Sequence, residues 1–294
     1  MLQKFKVKAE SIDYTQKHTC KVCSHNFTGL YCNACGEKIP LPDEKSFKYF
    51  AESILNGFTF FEGKFFSTIK LLLQSPGSLS HNISEGIRVP YMKLVSLFFL
   101  ANFLYFLFPV FDTYNSSLHT QLNSLGQHSI YATEIVKTHL EKHNLNLKEF
   151  QNSYQSISTN LSKLLIVLLV LMLSAILFVV NYSKQKYFFD HLLFSLEIYS
   201  FQLLFNLLAM AHFFVFLIWC AKQYGSDWRI LLSDSVFSFI GQVALTYFIF
   251  RGQLTFYQSK WYWAVPKAIL TYYLIFLTID LYRISLFYIT MWFL

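Results

Sequence analysis

Four of the five cysteines fall in one short stretch, Cys20-x-x-Cys23 and, eight residues on, Cys32-x-x-Cys35. Paired knuckles of this spacing let four thiolates meet in a tetrahedron, the preferred geometry of structural Zn2+. Gly29 and Gly36 supply backbone freedom where the chain must turn. Two disulfides, a redox pair and an iron–sulfur centre compete with zinc, and a cytoplasmic location disfavours the disulfides. The eight-residue gap is short for a full three-stranded ribbon, so a minimal knuckle pair is expected. Four protein ligands leave no open position, which makes the expected zinc structural. Cys220 has no partner in the sequence and reads as a plain apolar residue.

A second group of chemically capable residues lies far down the chain, inside apolar sequence. A charge at the bilayer centre costs about 2.5–3.5 kcal/mol on insertion scales, so such residues normally face protein or water. Asp280 and Arg283 stand at i, i+3 and can neutralise each other on one helix face. The sharper alternative is a proton or cation site at Asp280 in a polar cavity with His212, Asn206 and Gln242. Glu197 and Asp234 lie nearer the ends of their apolar runs and are expected to reach water. His139 and His143 are one helical turn apart, but no third ligand is evident and a solvated face is expected. No His-Glu-x-x-His, phosphate-cradling glycine loop or Gly-x-Ser-x-Gly is present, so no catalytic residues are assigned and no enzyme is expected.

The elements that must carry these residues are dictated by composition. Of 294 residues 54% are apolar, 33 are phenylalanine and only 14% are charged, against about 25% charged in a soluble domain. The apolar residues are bunched in runs long enough to cross a bilayer, which needs about 20 helical residues. Five such runs are read: 91–111, 161–181, 192–221, 230–250 and 267–294. Of the 24 Lys and Arg residues, 12 precede residue 94. That bias places the N-terminus in the cytoplasm, and five spans then place the C-terminus outside. The +7 net charge is explained by topology and anionic lipid, so no nucleic-acid partner is expected. Trp261 and Trp263, with Tyr262, fit an aromatic belt before the last span.

Ahead of the first span, Phe47, Phe50, Ile54, Phe58, Phe61, Phe65, Ile69 and Leu72 recur every three or four residues. They predict an amphipathic helix over 46–74, lying in the membrane interface or, alternatively, packed on the bundle. Pro76-Gly77 ends it. Arg88 is expected to grip lipid phosphate at the mouth of the first span, and Pro90 to occupy its first helical position. Between the first two spans, the outer loop 112–160 reads as a polar, mobile first half. A helix then starts at Leu147, with Asn146 as cap, and runs into the second span. Its apolar stripe (Leu147, Phe150, Tyr154, Ile157) calls for a partner from this chain or a second copy.

Two stretches carry a family resemblance. Cys20-Lys-Val-Cys23 … Tyr31-Cys32-Asn-Ala-Cys35-Gly36-Glu37 and Ser75-Pro76-Gly77 … Gly86-Ile-Arg88-Val-Pro90 together resemble the bacterial membrane-protein family catalogued as domain of unknown function 3667. The family pattern usually has Gln where Glu37 stands, and a tyrosine where this chain has His81 and Asn82. Neither departure touches a cysteine. The resemblance implies a bacterial inner-membrane location and brings no activity with it.

The expected architecture is therefore an all-α integral membrane protein of about five spans. It comprises an N-terminal tail (1–19), a zinc ribbon (20–38), the amphipathic helix, a joint (75–90) and a transmembrane bundle (91–294). The leading function is a cytoplasmic zinc-ribbon module that docks another protein or stabilises the bundle, with the lipid bilayer as constant partner and a homo-oligomer as a further possibility. The alternative is a small transporter or channel working through Asp280 and Arg283.

Overall fold

A computed structural model describes residues 17–20, 22–29, 31–36, 63–109, 113–184, 186–223 and 234–294. The chain divides into two compact units, Met1–Glu62 and Gly63–Leu294. In the first unit, β1 (Lys17–Thr19) and β2 (Asn26–Thr28) pair antiparallel, with His18 opposite Phe27. Cys20, Phe27 and Cys32 form its small buried cluster.

The regular elements described in the second unit are all helices. Helix α1 is described over residues 63–74, and the predicted 46–62 portion lies outside the described residues. It is followed by α2 (Ser78–Ser84), α3 (Leu94–Leu107), α4 (Leu118–Asn123), α5 (Gln127–His143) and α6 (Leu147–Val180). After a 3-10 turn (Tyr182–Lys184) come α7 (Phe188–Phe201), a π-helical stretch (Gln202–Met210) and α8 (Ala211–Gln223), which form one continuous rod. Helices α9 (Asp234–Thr255) and α10 (Trp261–Phe293) complete the unit.

Among the described residues four rods are long and apolar enough to cross a membrane: Leu147–Val180, Phe188–Cys220, Ser235–Thr255 and Trp261–Phe293. The first predicted span is different. Helix α3 has 14 residues and is about 21 Å long, short of a hydrocarbon core of about 30 Å. Its ends are nevertheless tied to opposite ends of the bundle. Met92 N–H, just before it, donates to Thr68 Oγ1 of α1 at 2.9 Å. Near its other end the Tyr105 hydroxyl accepts from Thr113 N–H at 3.1 Å, and Thr113 O accepts from Arg283 of α10 at 2.9 Å. The helix of the predicted fifth span begins earlier than expected, at Trp261, so that Trp261, Tyr262 and Trp263 form the first turn of α10. The predicted start of the fourth span, 230–233, lies outside the described residues.

The 34 residues of α6 and 33 of α10 make rods of about 50 Å, well beyond a bilayer core. Their surplus length is used in a second core outside the bundle. Phe150 and Tyr154 of α6 pack there with Phe287 of α10, Leu118 of α4, and Ala132 and Val136 of α5. The supposedly mobile half of the loop is thus two helices, and they are the partner that the stripe on α6 required. Asn146 caps α6 as expected, accepting from Lys148 N–H at 3.2 Å.

Helix α1 settles between its two readings over the described residues. Leu72 is fully buried in the bundle core, with Phe65 and Ile69 packed against that core. This is the alternative arrangement. An interfacial helix would leave that face to lipid.

Candidate functional site

The two cysteine knuckles are built alike. Ser24 N–H donates to Cys20 O at 2.9 Å and Gly36 N–H to Cys32 O at 2.8 Å, so each loop closes over its pair of thiols. The residue after each knuckle adopts positive φ, 58° at Ser24 and 79° at Gly36, and Gly29 does so at 94°. This is the left-handed turn for which glycine is suited. The four Sγ atoms lie within 4.8 Å of one another, with Cys20–Cys35 at 3.5 Å and Cys23–Cys32 at 3.6 Å. A tetrahedral ion with metal–sulfur bonds of about 2.3 Å sets its sulfurs about 3.8 Å apart, whereas a disulfide needs about 2.05 Å. The cluster fits a metal ion. Backbone N–H groups of Cys23 and Val22 pull the Cys20 thiol down to about 7, toward the thiolate a metal requires.

In the membrane unit the sequence-based site residues are dispersed. Asp280 and Arg283 do pair, at 3.6 Å. Arg283 also donates to Thr113 O, and its own carbonyl accepts from Gln121 Nε2 at 2.8 Å. The pair therefore clasps α10 to the α3–α4 connection. His212 bonds Leu208 O at 2.7 Å and is exposed on its helix. A cavity of about 370 Å³ does exist between the π-helical stretch, α9 and α10, and Asn206 and Gln242 line it. Asp280, Arg283 and His212 are not among its lining residues. Asn206 belongs instead to the helix contact, donating to Gln202 Oε1 at 2.6 Å and to Gly241 O at 3.1 Å. His139 and His143 stack at 4.5 Å between centroids, and among the described residues only the cysteines form a metal-ligating group of three or more.

Arg88 is exposed and its Nε donates to the Ile83 carbonyl near the end of α2 at 3.4 Å. Pro90 is not the first residue of a helix. It sits in an exposed turn, and α3 starts at Leu94 with Lys93 as its cap. Trp261 and Trp263 are exposed. The side chain of Asp234 lies outside those described.

Glu197 overturns the expectation that it reaches water. It is fully buried in α7. Its carboxylate accepts from Gly77 N–H at 2.8 Å, Ser80 N–H at 2.8 Å and the Ser80 hydroxyl. These donors belong to the first turn of α2, whose own cap residue, Gly77, offers no side chain. At the other end of α2, Ser84 Oγ donates to Asp190 Oδ1 at 2.6 Å, while Asp190 Oδ2 accepts from Tyr187 N–H at 3.0 Å in the capping box of α7. Helix α2 is thereby pinned along α7 at two points. Gly77 makes the approach possible: it has φ 82°, and a Cβ there would lie 2.7 Å from Gly252 Cα of α9. Gly252 in turn has the ring of Phe194 over its own Cα, where a Cβ would lie 2.1 Å from Phe194 Cζ. The joint read at Pro76-Gly77 is thus a wedge between two long helices. A lone carboxylate inside the apolar run 192–221 was the available signal for it. Its partners, 117 and 120 residues upstream, were not.

These features define a multi-helix protein with four rods apolar enough to cross a membrane, plus a separate cysteine cluster able to hold a metal ion. Residues 62–106 match the family described as Protein of unknown function (DUF3667). The matched segment runs from α1 through the α2 wedge to the last turn of α3, and bears out the resemblance carried by Pro76-Gly77 and Arg88. The cysteine cluster lies outside it. No curated protein and no solved structure was found to match.

Proposed function

We propose that the protein is a bacterial inner-membrane protein whose N-terminal unit holds a structural zinc ion and docks a cytoplasmic protein. The observation that carries this reading is the closure of the cluster. Four sulfurs within 4.8 Å of one another are as many ligands as a tetrahedral ion takes. A metal held that way shapes a surface and has no site for substrate. The surface it shapes includes Val22 and Tyr31, which are 68% and 59% exposed beside the cysteines. Exposed apolar side chains on so small a unit suit recognition of a partner.

Comparison of two variants with a deletion strain tests the proposal against transport. Removing residues 1–44 should reproduce the deletion phenotype. An Asp280→Asn, Arg283→Gln double variant should complement it, because both desolvation costs disappear together and only a clasp is lost. Complementation by the truncation, with a folded but inactive double variant, would reverse the assignment.

The proposed topology has the N-terminus in the cytoplasm, α3 as a fifth crossing and the C-terminus outside. The lysine and arginine bias and the attachment of α3 to both ends of the bundle support it. A cytoplasmic reporter near Ile12 and a periplasmic reporter after Leu294 should both be active. An active cytoplasmic reporter at the C-terminus would leave only the four long rods as crossings.

A further inference from the structure

The end of the bundle that carries the α6–α7 and α9–α10 turns contains a cleft of about 450 Å³. Three lysines line it from separate places: Lys184 on the 3-10 turn, Lys260 at the cap of α10, and Lys267 nearly two turns into α10. No acidic residue is among its lining residues. Lys184 Nζ donates to Gln258 O at 3.3 Å and Lys267 Nζ to Asn181 Oδ1 at 3.0 Å. Each ammonium has three donors, so both keep capacity for another acceptor.

Two further observations point to an anion. Ser259 also lines the cleft; it is 7% exposed, and its hydroxyl has no hydrogen-bond partner. The 33-residue helix α10 begins at the cleft with no side-chain cap and no acidic residue in its first turn. Trp263 and Ala264 N–H are taken up by Lys260 O at 3.0 Å, but no acidic side chain in the first turn offsets the positive dipole end of the helix. Neutral groups such as Asn181 satisfy one donor each, but three ammonium groups at one cleft call for negative charge.

We propose that this cleft binds a phosphate group carried by an anionic membrane lipid. The aromatic wall of the cleft favours a lipid over free phosphate. Tyr262 and Trp263 form part of its wall, and such rings settle at the level of lipid headgroups. Lys267 lies six residues beyond Trp261, about 9 Å further along the helix axis. A phosphate between Lys260 and Lys267 would sit where headgroups meet acyl chains, with Trp263 alongside the first methylenes. This assignment does not depend on the zinc unit or on any transport role.

The test is native mass spectrometry of the full-length protein exchanged into detergent with phosphatidylglycerol or phosphatidylcholine. Wild type should retain phosphatidylglycerol in preference to phosphatidylcholine. A Lys184→Gln, Lys267→Gln variant should lose about tenfold in that retention, the size expected for lost charge-assisted bonds. Lys260→Gln alone, at an exposed position that folding tolerates, should also weaken it. Lys142→Gln with Lys148→Gln removes the same charge on the far side of α6 and should leave retention unchanged. Equal retention of both lipids, or undiminished retention in both cleft variants, would overturn the proposal. Displacement of the lipid by excess inorganic phosphate would also overturn it, by assigning the cleft to the free ion.

Discussion

A Gly77→Ala variant should melt far below the wild type in detergent, although it adds a single methyl group. Two costs coincide. Gly77 has φ 82°, a left-handed conformation that costs an L-residue about 1–2 kcal/mol. The added Cβ would also lie 2.7 Å from Gly252 Cα. That neighbour is backbone and cannot swing aside, so α2 must lift from α9. Lifting α2 then strains the bonds from Gly77 and Ser80 to Glu197. Glu197→Ala attacks the same joint from the other side. It orphans donors at a fully buried site, each at about 1–3 kcal/mol. Both variants should lower the melting temperature in detergent far more than Glu85→Ala, an exposed change at the end of α2. Equal melting of all three would show that the wedge contributes nothing to the bundle.

Replacing Cys32 and Cys35 together with serine should abolish metal binding and the structure of the N-terminal unit. Among the described residues the buried cluster there consists of Cys20, Phe27 and Cys32, so two of its three side chains are thiols, and the strands described are three residues each. The fold of residues 17–36 therefore rests on what joins those thiols. Metal binding and folding are then one event. Limited proteolysis should cleave the variant between residues 17 and 36 at rates typical of unfolded chain, while residues 63–294 keep their melting temperature. Resistance of that segment in the metal-free variant would mean that something else holds the knuckles.

How much of this was legible in the sequence depended on how local each signal was. The cysteine spacing, the cap at Asn146 and the long apolar rods could be read because each is written within a few turns of chain. The stripe on α6 predicted an unnamed partner correctly, but α5 was missed, because its polar composition conceals the few apolar residues that pack, Ala132, Val136 and the partly buried Ile135 and Leu140. Glu197 was misjudged for a different reason. Its distance along the apolar run suggested water, while its actual partners are the backbone of a segment more than a hundred residues away. Pro90 was assigned to a helix start on residue type alone, but it lies in a turn and the helix starts four residues on, after the extended cap residue Lys93. Asp280 and Arg283 were paired correctly from their spacing. Their attachment to Thr113 required the fold.

The metal itself is the most direct measurement. Purified full-length protein should contain about one zinc per chain, and X-ray absorption at the zinc edge should show four sulfur neighbours at about 2.3 Å. That shell would match the four Sγ atoms gathered within 4.8 Å of one another. A protein without zinc whose four thiols are joined as disulfides, or a zinc shell containing nitrogen or oxygen ligands, would contradict a closed structural centre and remove the basis for the docking unit.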